Sequence, residues 1–168
     1  MEPQLAPLAA IFDLNTDLLL NCLDDLSDAE ARERLAGGGN NITFLAAHLT
    51  DSRHFLAARM GQPLLNPMAR YLAEARSIEG IAEWPSLAEI RSAWCHVSAH
   101  LKSAFNASSA ADLARQNTHR FPISDASQLG MIAFLVQHDA YHVGQMAFVR
   151  RQLGHPPMAY TRGASGPG

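Results

Sequence analysis

Apolar residues recur every three or four positions along most of this chain, which is the spacing of one face of an α-helix. The first such stripe predicts a helix over about residues 5 to 25. A second long helix is predicted between the possible caps Asn40 or Asn41 and the stop Gly61-Gln62-Pro63. Its predicted buried face includes Phe44, Leu45, His48, Ser52, Phe55, Leu56 and Arg59.

Two further long helices follow in the second half of the chain. The capping sequence Ser86-Leu87-Ala88-Glu89 opens one that extends to about Asn106, and Asp125-Ala126-Ser127-Gln128 starts another that extends to Leu153. A short helix is expected after the capping box that begins at Ser27 and before Gly37-Gly38-Gly39.

The remaining segments are connections. The one over residues 64–85 carries an expected short helix around Ala69 to Arg76, and the one over residues 107–124 a short helix or a brief extended stretch. Four amphipathic helices and two long connections predict an all-α fold, a four-helix bundle with long crossover connections in place of a simple up-and-down order. We expect one domain over residues 1–155 and a flexible tail over 156–168, with fraying from Tyr160 onward.

Composition and charge narrow the class of protein. The chain has 168 residues, 48% of them hydrophobic, and a formal net charge of −3 without a run of Lys or Arg, so neither nucleic acid nor an anionic membrane is an expected partner. Asp13, Asn15 and Asp17 interrupt the apolar N-terminal segment, so neither a signal peptide nor a membrane span is expected. Two cysteines without a CxxC motif favour a cytoplasmic location.

The most informative stretch lies in the last helix, where His138 and His142 are one turn apart. Side chains at this spacing point within about 40° of each other, so both imidazoles can bind the same metal ion. Both lie on the stripe that also carries Met131, Leu135 and Val149, and the pattern therefore places them on the buried face.

His48 occupies the apolar stripe of the second long helix and is the expected third ligand. His54 is predicted to lie on the surface, while His119 and His155 fall in loops. His96 and His100 repeat the spacing of His138 and His142, but they lie roughly 140° and 100° from the core stripe of their helix. That pair is therefore expected on a solvated or subunit-contact face.

A simpler interpretation of these histidines is that each is a core residue satisfied by hydrogen bonds. Three imidazoles on inward stripes of two helices nevertheless favour a metal, because each buried imidazole without a partner would cost about 1–3 kcal/mol.

Two motifs resemble a known family. Asn41-Ile-Thr-Phe-Leu-Ala-Ala-His48, with the later run His138-Asp-Ala-Tyr-His142-Val-Gly-Gln145, is similar to the DinB-like superfamily, also called YfiT-like, of metal-binding four-helix bundles. The resemblance extends over about residues 5 to 155. It implies a divalent metal, zinc or nickel, held by His48, His138 and His142, and a homodimer. Some relatives are transferases or isomerases that use a low-molecular-weight thiol such as mycothiol or bacillithiol, and others are described as metal-dependent hydrolases.

Other polar residues have candidate roles around such a site. Asn15 is expected to orient a ligand or substrate or to bond a neighbouring backbone group, Asp51 to accept a hydrogen bond from an imidazole, and Gln145 to bind a metal-bound water or to pack between helices. Asp139 is expected to make a surface interaction. Cys22 is expected to be a small apolar core residue, and Gly144 to let another backbone approach.

Three neutral imidazoles leave an ion charged and open at one position, which is the pattern of a catalytic site. We therefore expect a metalloenzyme acting on a small-molecule substrate, by thiol-dependent S-transfer or, as an alternative, by metal-dependent hydrolysis. A non-enzymatic metal-binding stress protein is the other hypothesis.

Overall fold

A computed structural model describes residues 1–72 and 77–160, and within these ranges it is helical, which confirms the all-α prediction. The helices are α1 (Ala6–Leu23), α2 (Asp28–Arg32), α3 (Ile42–Arg59), α4 (Ala69–Leu72), α5 (Leu87–Ala107), α6 (Ala110–Ala114) and α7 (Gln128–Gln152), with a 3₁₀ turn at Ile78–Gly80. Residues 73–76 of the expected short helix, and 161–168 of the expected tail, lie outside the described residues.

The helix starts follow the capping residues in the sequence. The side chains of Ser27, Asn41, Ser86 and Ser127 each accept a hydrogen bond from the backbone N–H three residues later. At Ser27 the reciprocal bond from the capping box is also present. Helices α3 and α7 are followed by Gly61 and Gly154 with φ of 79° and 90°, a left-handed conformation that glycine adopts without steric cost.

Contacts between the four long helices fix their directions. Asn15 of α1 donates to the Val136 carbonyl of α7, and near the other ends of these helices Arg150 donates to the Cys22 carbonyl, so α1 and α7 are parallel. Helix α7 begins where α3 ends, because Gln128 donates to the Arg59 carbonyl, and the two are antiparallel.

Helix α5 is antiparallel to α1, as ion pairs from Lys102 to Asp13 and from Arg91 to Asp24 show. Helices α3 and α5 consequently run in the same direction. The segment between them therefore returns along the length of the bundle, which is the crossover that the long connection requires.

The core consists of two apolar clusters at successive levels of the bundle. One contains Leu19, Leu23, Ile42, Leu49, Trp94 and Met146, and the other contains Phe12, Leu56, Val97, Phe105, Met131 and Ile132. Each cluster draws side chains from α1, α3, α5 and α7, so burial of apolar surface holds all four helices together.

A buried ion pair lies between the two clusters. The Arg53 guanidinium donates through Nε and Nη2 to Oδ2 of Asp139, at 3.0 and 2.8 Å. It also donates to the hydroxyls of Thr16 and Ser98. The Phe12 and Trp94 rings lie on the guanidinium, with centroids 3.7 and 3.6 Å from its central carbon. This polar layer joins α1, α3, α5 and α7 at the middle of the bundle.

Helix α1 has the length and apolar composition of a membrane span, and it is the one described helix that does. Half of that segment is buried inside the bundle. Its apolar residues pack on the other helices, as those of a core helix do.

Candidate metal centre

Three histidines from two antiparallel helices converge in the cleft between α3 and α7. Nε2 of His138 lies 3.2 Å from Nε2 of His48 and 3.1 Å from Nε2 of His142. Each of the three residues offers one ring nitrogen such that all three nitrogens lie within 4.8 Å of one another. Helical spacing brings His138 and His142 to one side of α7, and the antiparallel packing of α3 places His48 opposite them.

This arrangement fits a single ion. Imidazole nitrogens about 2.0–2.1 Å from a tetrahedral zinc ion are about 3.3–3.4 Å apart, close to the two shorter separations in this cluster. Neutral nitrogens at such distances have lone pairs that repel unless a proton or a cation lies between them. The three-histidine group can therefore hold a divalent metal.

The surroundings favour the neutral form of two of the three imidazoles. Burial, together with the proximity of His142 and His48, lowers the pKa of His138 to about 4. Burial and His142 also lower the pKa of His48, and the Asp51 carboxylate partly opposes that shift. A metal ligand must be a neutral imidazole, so these shifts favour metal binding near neutral pH.

Gln145 holds the third histidine from behind. Its Oε1 lies 2.7 Å from Nδ1 of His142, on the side of the ring opposite the cluster. When Nε2 of His142 binds a metal, the neutral ring carries its proton on Nδ1 and donates it to this amide oxygen. Gln145 thus fixes both the tautomer and the orientation of His142.

The other two candidate residues near the site have different partners. Asn15 is buried and its Nδ2 donates to the Val136 carbonyl at 2.9 Å, so it joins α1 to α7. Oδ1 of Asp51 accepts a hydrogen bond of 2.6 Å from Asn66. Asp51 acts on His48 through its charge.

Aromatic rings line the cleft beside the histidines. Phe44 stacks on His48 and Phe134 on His138, with ring centroids 6.2 Å apart in both pairs. Phe121, from the connection before α7, packs on Phe134 at 4.9 Å. Nδ1 of His138 is buried without a hydrogen-bond partner among the described residues, so packing rather than a hydrogen bond orients this ring.

The histidines lie at the edge of the buried face and are only partly buried, not in its middle as the apolar stripe had suggested. The middle of the inner face is occupied by Arg53 on α3 and by Asp139 on α7. This position leaves part of each histidine exposed, which an exchangeable ligand requires.

Two predictions about neighbouring residues are wrong. Asp139 was expected to make a surface interaction, but it is 3% exposed and paired with Arg53. His54 was expected on the surface, but it is 4% exposed and its Nδ1 lies 2.9 Å from the Thr50 carbonyl oxygen. In both cases the buried face of the helix is wider than the apolar stripe, because α3 and α7 each pack against two neighbouring helices.

Arg53 was not recognised from the sequence, although a signal exists. It falls between Leu49 and Leu56 at helical spacing, in the centre of the apolar face of α3. A charged residue at such a position requires a buried partner of opposite charge, and Asp139 between Val136 and Val143 has the corresponding place on α7.

The remaining histidines and the two cysteines lie elsewhere. On α5, His96 is exposed and His100 is partly exposed. His119 packs on the rings of Phe55 and Phe121. Nε2 of His155 lies 3.2 Å from a carboxylate oxygen of Glu30. Cys95 is exposed on α5. Cys22 is buried, as expected, and burial raises the pKa of its thiol to about 12. Gly144 faces outward, and a Cβ atom there would meet no other atom within 4 Å.

Comparison with known protein families identifies the superfamily of the chain. The family model described as the DinB superfamily matches residues 11–146, which include all three histidines and most of α1 and α7. No curated protein matches the chain.

Proposed function

The chain belongs to the DinB superfamily, and we propose that it is a metalloenzyme in which His48, His138 and His142 hold zinc or nickel. The observation that carries this proposal is the convergence of three Nε2 atoms from histidines that are only partly buried. Three protein ligands leave a tetrahedral ion with one open position, whereas a structural zinc site is closed by four. A metal bound here supplies a positive charge that stabilises a thiolate or lowers the pKa of water.

Thiol-dependent S-transfer is the reaction we propose. The chain has two cysteines, and neither is suited to act as the nucleophile, since the Cys22 thiol is buried with a raised pKa and Cys95 lies on α5, outside the cleft. The sulfur must then come from a low-molecular-weight thiol. Its thiolate attacks an electrophilic carbon, a C–S bond forms as the leaving group departs with its electron pair, and the thiol proton passes to solvent.

The surrounding residues serve this reaction by binding and orientation. Gln145 keeps His142 in the tautomer that presents Nε2 to the ion. Phe44, Phe134 and Phe121 form an apolar wall that excludes water from one side of the cleft. The small-molecule electrophile would lie against this wall.

Metal-dependent hydrolysis is the second candidate, and one observation favours it. The Asp51 carboxylate is close enough to His48 to oppose part of the lowering of that ring's pKa by burial. A carboxylate beside the metal could accept a proton from an attacking water.

The third hypothesis, a metal-binding stress protein without catalysis, requires the open position to be unused. For each function we propose a cytoplasmic homodimer, with the location that the cysteine content favours and the oligomeric state that the family resemblance implies.

A thiol-conjugation assay tests the proposal. Zinc-loaded and nickel-loaded protein are incubated with glutathione, cysteine, mycothiol or bacillithiol and the electrophile monochlorobimane. We expect faster conjugation with at least one thiol, loss of this rate in His142→Ala, and no change in the control His96→Ala/His100→Ala. Absence of acceleration with every thiol would contradict S-transfer and leave hydrolysis or metal storage.

A further inference from the structure

A second feature of the α3–α7 cleft is a cavity of about 530 Å³ beside the metal centre, here called the side pocket. It lies between the outer face of α7 and the loop before α3. Its walls include Leu35, Gly39, Leu45, Tyr141, Gln145 and Phe148. This volume is within the range of about 300–1,000 Å³ that is usual for small-molecule sites.

The side pocket adjoins His142 through two of its lining residues. Gln145, whose Oε1 accepts the hydrogen bond from His142, is part of its wall. Tyr141, also in the wall, has its ring centroid 5.1 Å from that of His142. Leu45 precedes His48 by less than one turn of α3. The side pocket therefore begins one side chain away from His142.

The chemistry of the wall defines the kind of group that fits. Five of the ten lining residues are leucine, valine or aromatic, and no Lys, Arg, Asp or Glu is among the described residues that line the side pocket. Phe148 and Tyr141 are 60% and 58% exposed, so both rings present apolar surface to a ligand in the side pocket. Because Oε1 of Gln145 is engaged with His142, its amide N–H groups are what this residue offers to a ligand.

The loop wall is held in place by the rest of the fold. Arg34 donates to the Gly39 carbonyl at 2.8 Å and pairs with Glu79 at 2.9 Å. Gly38 N–H donates to the Leu35 carbonyl at 2.8 Å, which closes the turn. A wall fixed before binding costs little ordering entropy when a ligand arrives.

We propose that the side pocket is a specificity site for the uncharged, apolar tail of a small-molecule substrate whose polar head binds the metal. This inference rests on the proposed metal site and adds the class of substrate that the site selects. It does not depend on whether the reaction is S-transfer or hydrolysis.

Alkyl hydroxamates of increasing chain length provide the test, because their common head group binds zinc and only the tail changes. Binding of acetohydroxamate, butyrohydroxamate and hexanohydroxamate to zinc-loaded protein is measured by calorimetry. We expect the Kd to fall about two- to fourfold for each added methylene, as burial of apolar surface predicts. In Phe148→Ala the gain in binding free energy per added methylene should be less than half of that in the wild type. The Kd of acetohydroxamate should stay unchanged.

Leu65→Ala is the matched control, since Leu65 is 93% exposed and lies outside the side pocket. It should keep the full dependence on chain length. Equal binding of all three hydroxamates to the wild type would overturn the proposal that the side pocket binds the apolar tail, but not the proposed metal site. Failure of zinc or acetohydroxamate to bind would overturn both proposals. A wild-type dimer that Phe148→Ala converts to a monomer would show that a second copy of the chain covers the side pocket, and would also overturn the inference.

Discussion

His142 is contacted on both sides of its ring, by His138 at Nε2 and by Gln145 at Nδ1. This arrangement makes the residue a preorganised ligand, because its tautomer and orientation are set before an ion arrives. The identity of the three histidines could be predicted from their spacing on two helices. The partner of His142 could not be derived from spacing alone, since Gln145 might equally have faced the ion.

Gln145→Ala tests this positioning role. Without the amide acceptor, His142 can rotate and adopt the wrong tautomer, and we expect zinc affinity to fall about 10- to 100-fold. Competition with a chromogenic chelator measures the effect. Gln145→Glu retains an acceptor at the same place and should bind zinc at least as well as Gln145→Ala. Equal affinity of the wild type and Gln145→Ala would show that packing alone orients His142.

The two cysteines should differ sharply in reactivity. Cys22 is fully buried and its thiol pKa is raised to about 12, so almost no thiolate forms at pH 8. Cys95 is exposed. We expect a disulfide reagent at pH 8 to modify one thiol per native chain and two in urea, and none in native Cys95→Ser. Rapid reaction of two thiols in the native wild type would contradict the packing of α1 on α7.

At the scale of the elements, capping residues explain why the long helices begin where they do. Ser86 could be chosen from the sequence, and Asn41 and Ser127 lie in the short polar stretches predicted to start α3 and α7, because a short polar side chain followed by helical periodicity is a local signal. The bounds of α4 and α6 were less predictable, because helices of four or five residues depend on the surfaces they pack against.

Two glycines in α7 give a matched pair of substitutions. A Cβ atom on Gly130 would lie 2.3 Å from the Asp125 carbonyl oxygen, whereas one on Gly144 would meet open space. Gly130→Ala should therefore destabilise the protein by about 1–3 kcal/mol. Gly144→Ala should stabilise it by about 0.5–1 kcal/mol through higher helix propensity. Urea unfolding measures both, and effects of the same sign would contradict the packing at the start of α7.

At the scale of the whole molecule, one polar layer divides the core and continues to the metal site. Arg53 and Asp139 lie between the two apolar clusters, and Asp139 is the residue next to His138. The pair fixes the level at which α3 packs on α7, and that level brings His48 opposite His138 and His142. Pairing between residues 86 positions apart is set by tertiary packing, so periodicity within either helix could not reveal it.

Separating the pair should be costly. Burial raises the pKa of Asp139 while the Arg53 guanidinium opposes that shift, so removing Arg53 leaves a buried carboxylate without its counter-charge. We expect Arg53→Ala to lower the free energy of unfolding by about 3–5 kcal/mol. The double variant Arg53→Met/Asp139→Leu should lose less stability than the sum of the losses in Arg53→Met alone and Asp139→Leu alone. Additive losses in urea unfolding would contradict coupling between the two side chains.

The central claim is that His48, His138 and His142 bind one ion together, and metal content of tag-free protein tests it most directly. The control His96→Ala/His100→Ala should have the same unfolding midpoint as the wild type. Both purified proteins should retain one zinc or nickel per chain after dialysis. His142→Ala should retain less than a tenth of that amount. The same metal content in His142→Ala and the wild type, or no bound metal in the wild type, would contradict the account.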